Sequence, residues 1–428
     1  MRNVFAIVFT AVIVSFYYFP FEFSFLAGIN TKMGLALVGI FLAAFNLVVK
    51  REARFPKNLL KVEILALFVS IAGILSVTIN NTSDNAYVTY FVSMTVWLSG
   101  AYTVCSLIKR VHNELSVENV TAYITAVCVV QCLLALLINS IPSLKSLVDT
   151  YILQDQDFLT EVERLYGIGA SLDTAGVRFS ACLILLIFTL NKNKNTMPKG
   201  VLAIAILAYL WISVIGNMMA RTTIVGVGLS LFYALLTFRL DSVSNGFFRV
   251  LRVLLMILVI AIPLGRYLYG NNLQFYELSR FAFEGFFNLA ETGEWEIDSN
   301  EKLKSMIVFP DNMKTWIVGD GYFDNPYYTD LTFIGTYVGG YYMGTDIGYL
   351  RFIFYFGIIG LIAFSCFFIS IAKECIALLP RYKSAILFIL LLGFIIWLKV
   401  ATDVFLVFAL FLCVGNMQDE TPQLEEEV

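Results

Sequence analysis

Apolar runs of about 20 residues recur along almost the whole chain, and that length is what a helix needs to cross a bilayer core about 30 Å thick. They lie at 4–19, 33–49, 59–79, 87–107, 120–140, 175–190, 200–217, 221–238, 250–265 and 346–372. A last run, 385–415, is too long for one upright span and short for two; with Lys399 and Asp403 near its middle, it reads as two short helices turning there. The expected fold is an all-α polytopic membrane protein of about twelve transmembrane helices. Composition leaves no soluble alternative, because 59% of the 428 residues are hydrophobic and 14% charged, against about 25% charged in a water-soluble domain. The formal net charge of −3 excludes a polybasic nucleic-acid or headgroup binder. Residues 1–20 begin with one Arg and run apolar, but no small-residue cleavage motif follows, so they read as the first helix.

Cys105, Cys128, Cys132, Cys182, Cys366, Cys375 and Cys413 fall inside or at the edges of apolar runs without zinc-type spacing, and read as packing residues. Lys and Arg resist translocation. Loops after even-numbered spans hold Lys50, Arg51, Arg54 and Lys57; Lys109 and Arg110; Lys192, Lys194 and Lys199; Arg239, Arg249 and Arg252; and Lys373, Arg381 and Lys383. Both termini, with the acidic tail 419–428, are therefore expected in the cytoplasm, and the two long connections, 141–174 and 266–345, outside. The second connection is far longer than usual. It carries 19 aromatic residues, among them Trp295, Trp316, Tyr322, Phe323, Tyr327, Tyr328, Tyr341 and Tyr342, with five basic and eleven acidic residues. That composition is opposite to that of disordered segments, so the loop is expected to fold.

The single histidine, His112, falls in a cytoplasmic loop by this topology. That removes a histidine base, a Ser-His triad and His metal ligation from the outer face. No phosphate-binding glycine loop, dinucleotide fingerprint, HExxH or GxSxG stands in the chain. What remains outside is a set of arginines. Arg164 and Arg178 flank the sixth span, Arg221 opens the eighth, Arg266 and Arg280 begin the long loop, and Arg351 lies in the tenth. Charge at membrane depth is costly unless paired or wetted, which makes each a functional candidate; the plainer reading is snorkelling or an ion pair with the acidic loop. Around Arg221, residues 216–223 read as a tight turn into a helix start, where free backbone N–H groups beside a guanidinium would form an anion site. An anion at membrane level is a lipid phosphate or pyrophosphate.

Three stretches carry a family resemblance. Arg164-Leu165-Tyr166-Gly167 followed by Ser171-Leu172-Asp173-Thr174-Ala175-Gly176 is one, and Ala220-Arg221-Thr222-Thr223 is the second. The third is Gly319-Asp320-Gly321-Tyr322 with Thr345-Asp346-Ile347-Gly348-Tyr349-Leu350 and Gly357-Ile358-Ile359-Gly360. Their order and setting resemble the O-antigen polymerase and ligase superfamily. Leu172 and Asp173 stand where that family commonly has Pro-Asn, and Asp346 stands where its ligases have histidine, which tilts the resemblance toward a polymerase.

The resemblance implies a GT-C-like membrane glycosyltransferase in the bacterial cytoplasmic membrane, its active site facing the periplasm or exterior. It would pass a glycan from undecaprenyl pyrophosphate to a lipid-linked repeat unit in polysaccharide biosynthesis, such as that of lipopolysaccharide or capsule. Arg164, Arg221, Arg280 and Asp346 would be catalytic, the arginines stabilising the pyrophosphate leaving group and Asp346 acting as base, with Asp320 or Asp173 as alternatives. Arg178, Asp173, Asp320, Tyr322, Tyr349 and Arg351 would bind substrate. Partners would be the lipid-linked oligosaccharide, the bilayer and a chain-length regulator protein, with no nucleic acid. No cofactor or metal is expected, although Glu294, Glu296 and Asp298 offer oxygen ligands for Ca²⁺ or Mg²⁺. A ligase-like transferase and a lipid-linked oligosaccharide flippase are the alternative readings.

Overall fold

Helices stand at each position where the sequence has an apolar run of spanning length. The computed structural model describes residues 4–50, 56–154, 164–193, 196–237, 245–325 and 340–419. Arg51, Arg54, Lys194, Arg239, Tyr327, Tyr328 and the tail after Asp419 lie outside the described residues. The apolar helices are α1 (Val4–Tyr18), α2 (Thr31–Lys50), α3 (Lys57–Asn80), α4 (Tyr90–His112) and α5 (Val117–Ser140). After the short α6 (Pro142–Tyr151) come α7 (Leu172–Asn193), α8 (Lys199–Met219), α9 (Thr223–Thr237) and α10 (Asn245–Asn271). Among the described residues, eight helices are long and apolar enough to cross a membrane, and α1, α9 and the last helix are shorter apolar ones. The chain is an all-α, multi-pass membrane protein.

Two expected boundaries move. Helix α10 runs to Asn271 rather than ending at residue 265, so Arg266 lies on an exposed helical turn and not in a loop. The run 385–415 forms α16 (Lys383–Ile396) and α17 (Phe405–Asp419). The break between them is held by the Trp397 indole N–H donating to the Thr402 carbonyl at 2.7 Å, and by Asp403 accepting from the Phe405 amide at 2.9 Å.

The described parts of the long connection, 266–325 and 340–345, are folded, as its aromatic content leads one to expect. It contains α11 (Leu273–Ala282), α12 (Glu284–Thr292), α13 (Asp298–Ser305) and α14 (Met313–Val318) before α15 (Gly348–Leu378). Asn272 caps α11 by accepting from the Phe275 amide, and Asn312 caps α14 by accepting from the Thr315 amide. The earlier connection supplies α6 and a two-residue strand β2 (Ile152–Leu153), which pairs antiparallel with β1 (Glu22–Phe23) in register Glu22 with Leu153.

Two compact units result, one of residues 1–35 and 104–296, the other of 36–103 and 297–428. The boundary at 296/297 divides the long connection, so its first helices belong to one unit and its last to the other. In the first unit α7 is central, packing on α5, α8 and α9. Close approach there needs small residues: a Cβ on Gly226 would stand 2.2 Å from Ser180 Cα.

The second unit is organised on α15, against which α3, α14, α16 and α17 pack. That helix is broken at Phe356 and Gly357, where Gly357 takes φ +67°. A break in an apolar helix frees carbonyls that lipid cannot satisfy. Here the Phe354 carbonyl accepts from the Asp320 amide at 2.6 Å, and the Tyr355 carbonyl from the Gly321 amide at 3.1 Å and the Ser76 hydroxyl at 2.6 Å. Gly319 and Gly357 permit the contact, since a Cβ on either would lie within 2.4 Å of the opposite backbone.

Gly357→Ala or Gly319→Ala is expected to lose about 3 kcal/mol or more, because each adds both a backbone clash and a strained positive φ. Gly200→Ala, whose added Cβ meets nothing within 4 Å, should change stability by about 1 kcal/mol at most. Thermal unfolding of the detergent-solubilised variants measures both, and equal losses at all three glycines would contradict the α14–α15 contact.

Candidate functional site

Arg164 emerges from a stretch pinned by a polar residue inside an apolar helix. Gln131 of α5 is buried, and its side chain accepts from the Ile168 amide and donates to the Ile168 carbonyl, both at 3.0 Å. Gly167 N–H closes a turn onto the Ala170 carbonyl at 2.8 Å, and Gly169, at φ +66°, slides under residues 19–21 where a Cβ would meet the Phe19 carbonyl at 2.7 Å. Leu172, at φ +51°, starts α7 in a backbone conformation unfavourable to branched residues. The bend thus forms without Pro-Asn. Tyr166 anchors the stretch to α6 by donating to Asp149 at 2.8 Å.

Arg221 sits in the turn between α8 and α9, and Ser180 fixes that turn. Its hydroxyl donates to the Thr222 carbonyl at 3.0 Å and accepts from the Gly226 amide at 3.1 Å. Gly176 makes room, since a Cβ there would overlap Thr222 Oγ1 at 1.9 Å. The expectation of free amides at this helix start is narrowed to its first residues. The amides of Thr223, Ile224 and Val225 donate to the carbonyls of Ala220, Arg221 and Thr222 at 3.0–3.1 Å, and that of Gly226 is held by Ser180. Tight i to i+3 bonds consume the donors.

The structure brings Arg164 and Arg221 to one aromatic ring. Their guanidinium carbons lie 5.0 and 4.3 Å from the centroid of Phe281 on α11. Burial lowers the Arg164 pKa, the Arg221 charge lowers it further, and Asp173 opposes both. Arg164 Nε is buried with no hydrogen-bond partner among the described residues. Arg221 is ion-paired to Glu284, the two side chains being 16% and 18% exposed. Two partly desolvated cations thus meet on one ring, Glu284 pairing with one and Asp173 acting on the other.

Arg280 is engaged elsewhere. It grips Glu291 through both terminal nitrogens, Nη2 at 2.9 Å, and lies 4.8 Å from the Phe287 ring; the pairing raises its pKa. Arg178 lies 5.7 Å from the Phe19 ring, and its carbonyl accepts from the Tyr18 hydroxyl at 2.8 Å. Glu284 and Phe281 escaped the sequence reading because nothing in a loop's composition says which helix end it will cover. Gln131 and Ser180 carried a signal, a polar residue within or entering an apolar run.

The remaining candidates gather in the second unit, around a buried arginine. Arg351 is 5% exposed. Its Nη2 donates to Asp324 Oδ1 at 2.5 Å and to the Phe323 carbonyl at 3.1 Å, Asp346 lies 3.8 Å from Nη1, and the rings of Phe323 and Tyr341 flank it at 3.7 and 4.3 Å. Burial raises the Asp324 pKa while Arg351 lowers it. Ile347, not Asp346, stands at the N-cap of α15. Asp320 accepts from the Thr315 hydroxyl at 2.6 Å and the Tyr342 hydroxyl at 3.3 Å; Tyr342, its pKa raised by burial and then by that carboxylate, stacks on Tyr322 at 5.4 Å. Tyr349 donates to the Phe394 carbonyl at 3.0 Å. Glu294, Glu296 and Asp298 form no metal-holding group among the described residues.

No protein-family model, no curated protein and no solved structure matches this chain.

The two arginine environments should answer differently to neutral replacement. Arg351→Leu removes the buried guanidinium around which Asp324, itself 61% exposed, and Asp346 gather, and is expected to cost about 2 kcal/mol or more. Arg164→Leu removes a desolvated cation that repels Arg221, so stability should stay within about 1 kcal/mol of the parent or rise. Thermal unfolding in detergent at low ionic strength checks both; an Arg164→Leu loss as large as that of Arg351→Leu would show that Arg164 is a structural charge.

Proposed function

We propose that this protein is a membrane glycosyltransferase that polymerises polysaccharide, transferring a growing glycan from undecaprenyl pyrophosphate to a lipid-linked repeat unit at the outer face of a bacterial cytoplasmic membrane. One observation carries the reading: in a multi-pass membrane protein, Arg164 and Arg221 converge on the Phe281 ring, with Glu284 pairing one and Asp173 acting electrostatically on the other. Loss of a pyrophosphate from an anomeric carbon develops negative charge on the leaving oxygens and oxocarbenium character on the sugar. Fixed guanidinia in a dry site stabilise that charge by several kcal/mol without reorganising. Resemblance of the three sequence stretches to the O-antigen polymerase and ligase superfamily supports the choice of substrate. Of the carboxylates weighed as acceptor base, Asp173 shares a unit with the arginines and acts electrostatically on Arg164.

The outer location rests on the distribution of Lys and Arg among the loops, and the twelve-span arrangement on the apolar helices α1, α9, α16 and α17 crossing alongside the eight longer ones. Arg164→Lys and Arg221→Lys keep the charge but lose the planar fork, and each should reduce polymer formation about a hundredfold or more at normal protein levels. Purified protein in lipid nanodiscs, given lipid-linked repeat units, reports chain length directly. Lysine variants that polymerise like the parent would remove both arginines from the active site. A parent that caps a different acceptor would indicate a ligase, and one that only moves substrate in vesicles a flippase.

A further inference from the structure

Exposed apolar side chains on spanning helices face lipid, but those on the long connection stand where water is expected. Helix α13 suits water, being polar apart from Leu303, with Lys304 paired to Glu301 at 2.6 Å. The residues after it do not. Ile307, Phe309, Met313 and Ile317 are all exposed, and Met313 and Ile317 share one face of α14, a helical turn apart. The Phe309 ring stacks on Trp316 with centroids 6.3 Å apart. The Trp316 indole N–H donates to the Pro310 carbonyl at 3.0 Å, so its polar edge is satisfied without water.

The attachment of α14 to the second unit gives its depth. Lys61 of α3 pairs with Glu374 of α15, and charges on two apolar helices cost least at an edge of the hydrocarbon. From that edge, Ser76 lies fifteen residues along α3, about 22 Å, and Gly357 seventeen residues along α15, about 25 Å. The core is about 30 Å thick, so both positions fall short of its opposite edge. There α14 is held. A Cβ on Gly357 would stand 2.2 Å from the Ile317 carbonyl, and the Asn80 side-chain amide donates to the Gly319 carbonyl at 3.0 Å. The six residues of α14 span about 9 Å, so all of it lies near that level. We propose that segment 307–317 is seated in the bilayer, its exposed apolar face covered by lipid acyl chains at the edge of the leaflet where α15 begins. Asp311 and Lys314, exposed on the same segment, keep it at that edge rather than deep in the core, and Trp316 is the residue type that gathers there. The long connection is thereby tied to the membrane near its end, whether or not the chain transfers glycans.

Spin labels test this, with oxygen as the lipid-soluble collider and a nickel chelate as the water-soluble one. The full chain is placed in phosphatidylethanolamine and phosphatidylglycerol vesicles free of polyprenyl lipid, so that bilayer lipid is what can cover the face. Cys366 is exposed on α15 and the other six cysteines are buried, so the parent labelled at Cys366 supplies the lipid reference. In a Cys366→Ser background, Lys302→Cys on α13 supplies the water reference, while Met313→Cys and Ile307→Cys report the segment. Both should give an oxygen-to-nickel collision ratio raised above that at position 302 and toward that at position 366. Because both side chains are exposed, either variant decides the matter should the other fail to fold. A ratio equal to that at position 302 overturns the proposal, since the face then stands in water. Low collision with both reagents also overturns it, since protein, from this chain or a second copy, then covers the face.

Discussion

The constraint on which the rest depends is that a polar group inside so apolar a chain has no water to fall back on, so it must find a protein partner. The break in α15 displays it. Opening the helix at Phe356 and Gly357 frees carbonyls, and the segment that satisfies them, Gly319 to Gly321 with Ser76 from α3, is thereby bound to the broken turn. The end of the long connection is thus held by unsatisfied backbone rather than by apolar burial alone. Glycine at 319 and 357 follows from the requirement that two backbones touch.

Side-chain charges obey the same rule, and their degree of satisfaction separates two kinds of arginine. Arg351 has two carboxylates, a carbonyl and two rings around it, with its Nε alone buried without a hydrogen-bond partner among the described residues, which fits a residue that organises its unit. Arg164 and Arg221 share one ring and one ion-paired carboxylate. Folding alone gives no reason to bring two desolvated cations together. Two guanidinia that repel one another across a ring are an arrangement that the proposed binding of an anionic lipid would relieve.

Much of this was legible in the sequence, for reasons that differ by scale. Helix positions follow from the length of apolar runs, because a bilayer imposes a minimum span, and even the division of 385–415 could be read from Lys399 and Asp403. The arginines stood out because charge at membrane level is rare. Partner choice was not legible. Arg280 and Arg221 both lie within reach of an acidic connection, yet one closes onto Glu291 and the other onto Glu284, a difference set by where α11 and α12 end. Nor could composition foresee that the Gly226 amide near the start of α9 would be taken by Ser180, some forty residues away, whose hydroxyl also reaches the Thr222 carbonyl.

Helix packing and the folded connection contribute differently to the site. Small residues on α7 and α9, Gly176, Ser180 and Gly226, let the helices approach until the turn bearing Arg221 has one place to be, and Gln131 does the same for the stretch bearing Arg164. The cations are therefore preorganised by packing deep in the unit, which is what electrostatic stabilisation of a leaving group requires. The connection supplies what meets them, the Phe281 ring and the Glu284 carboxylate, on two short helices of which the first packs on α8 and α10. Cations placed by packing within the unit and a ring and carboxylate brought to them by the connection make the geometry depend on both parts of the chain.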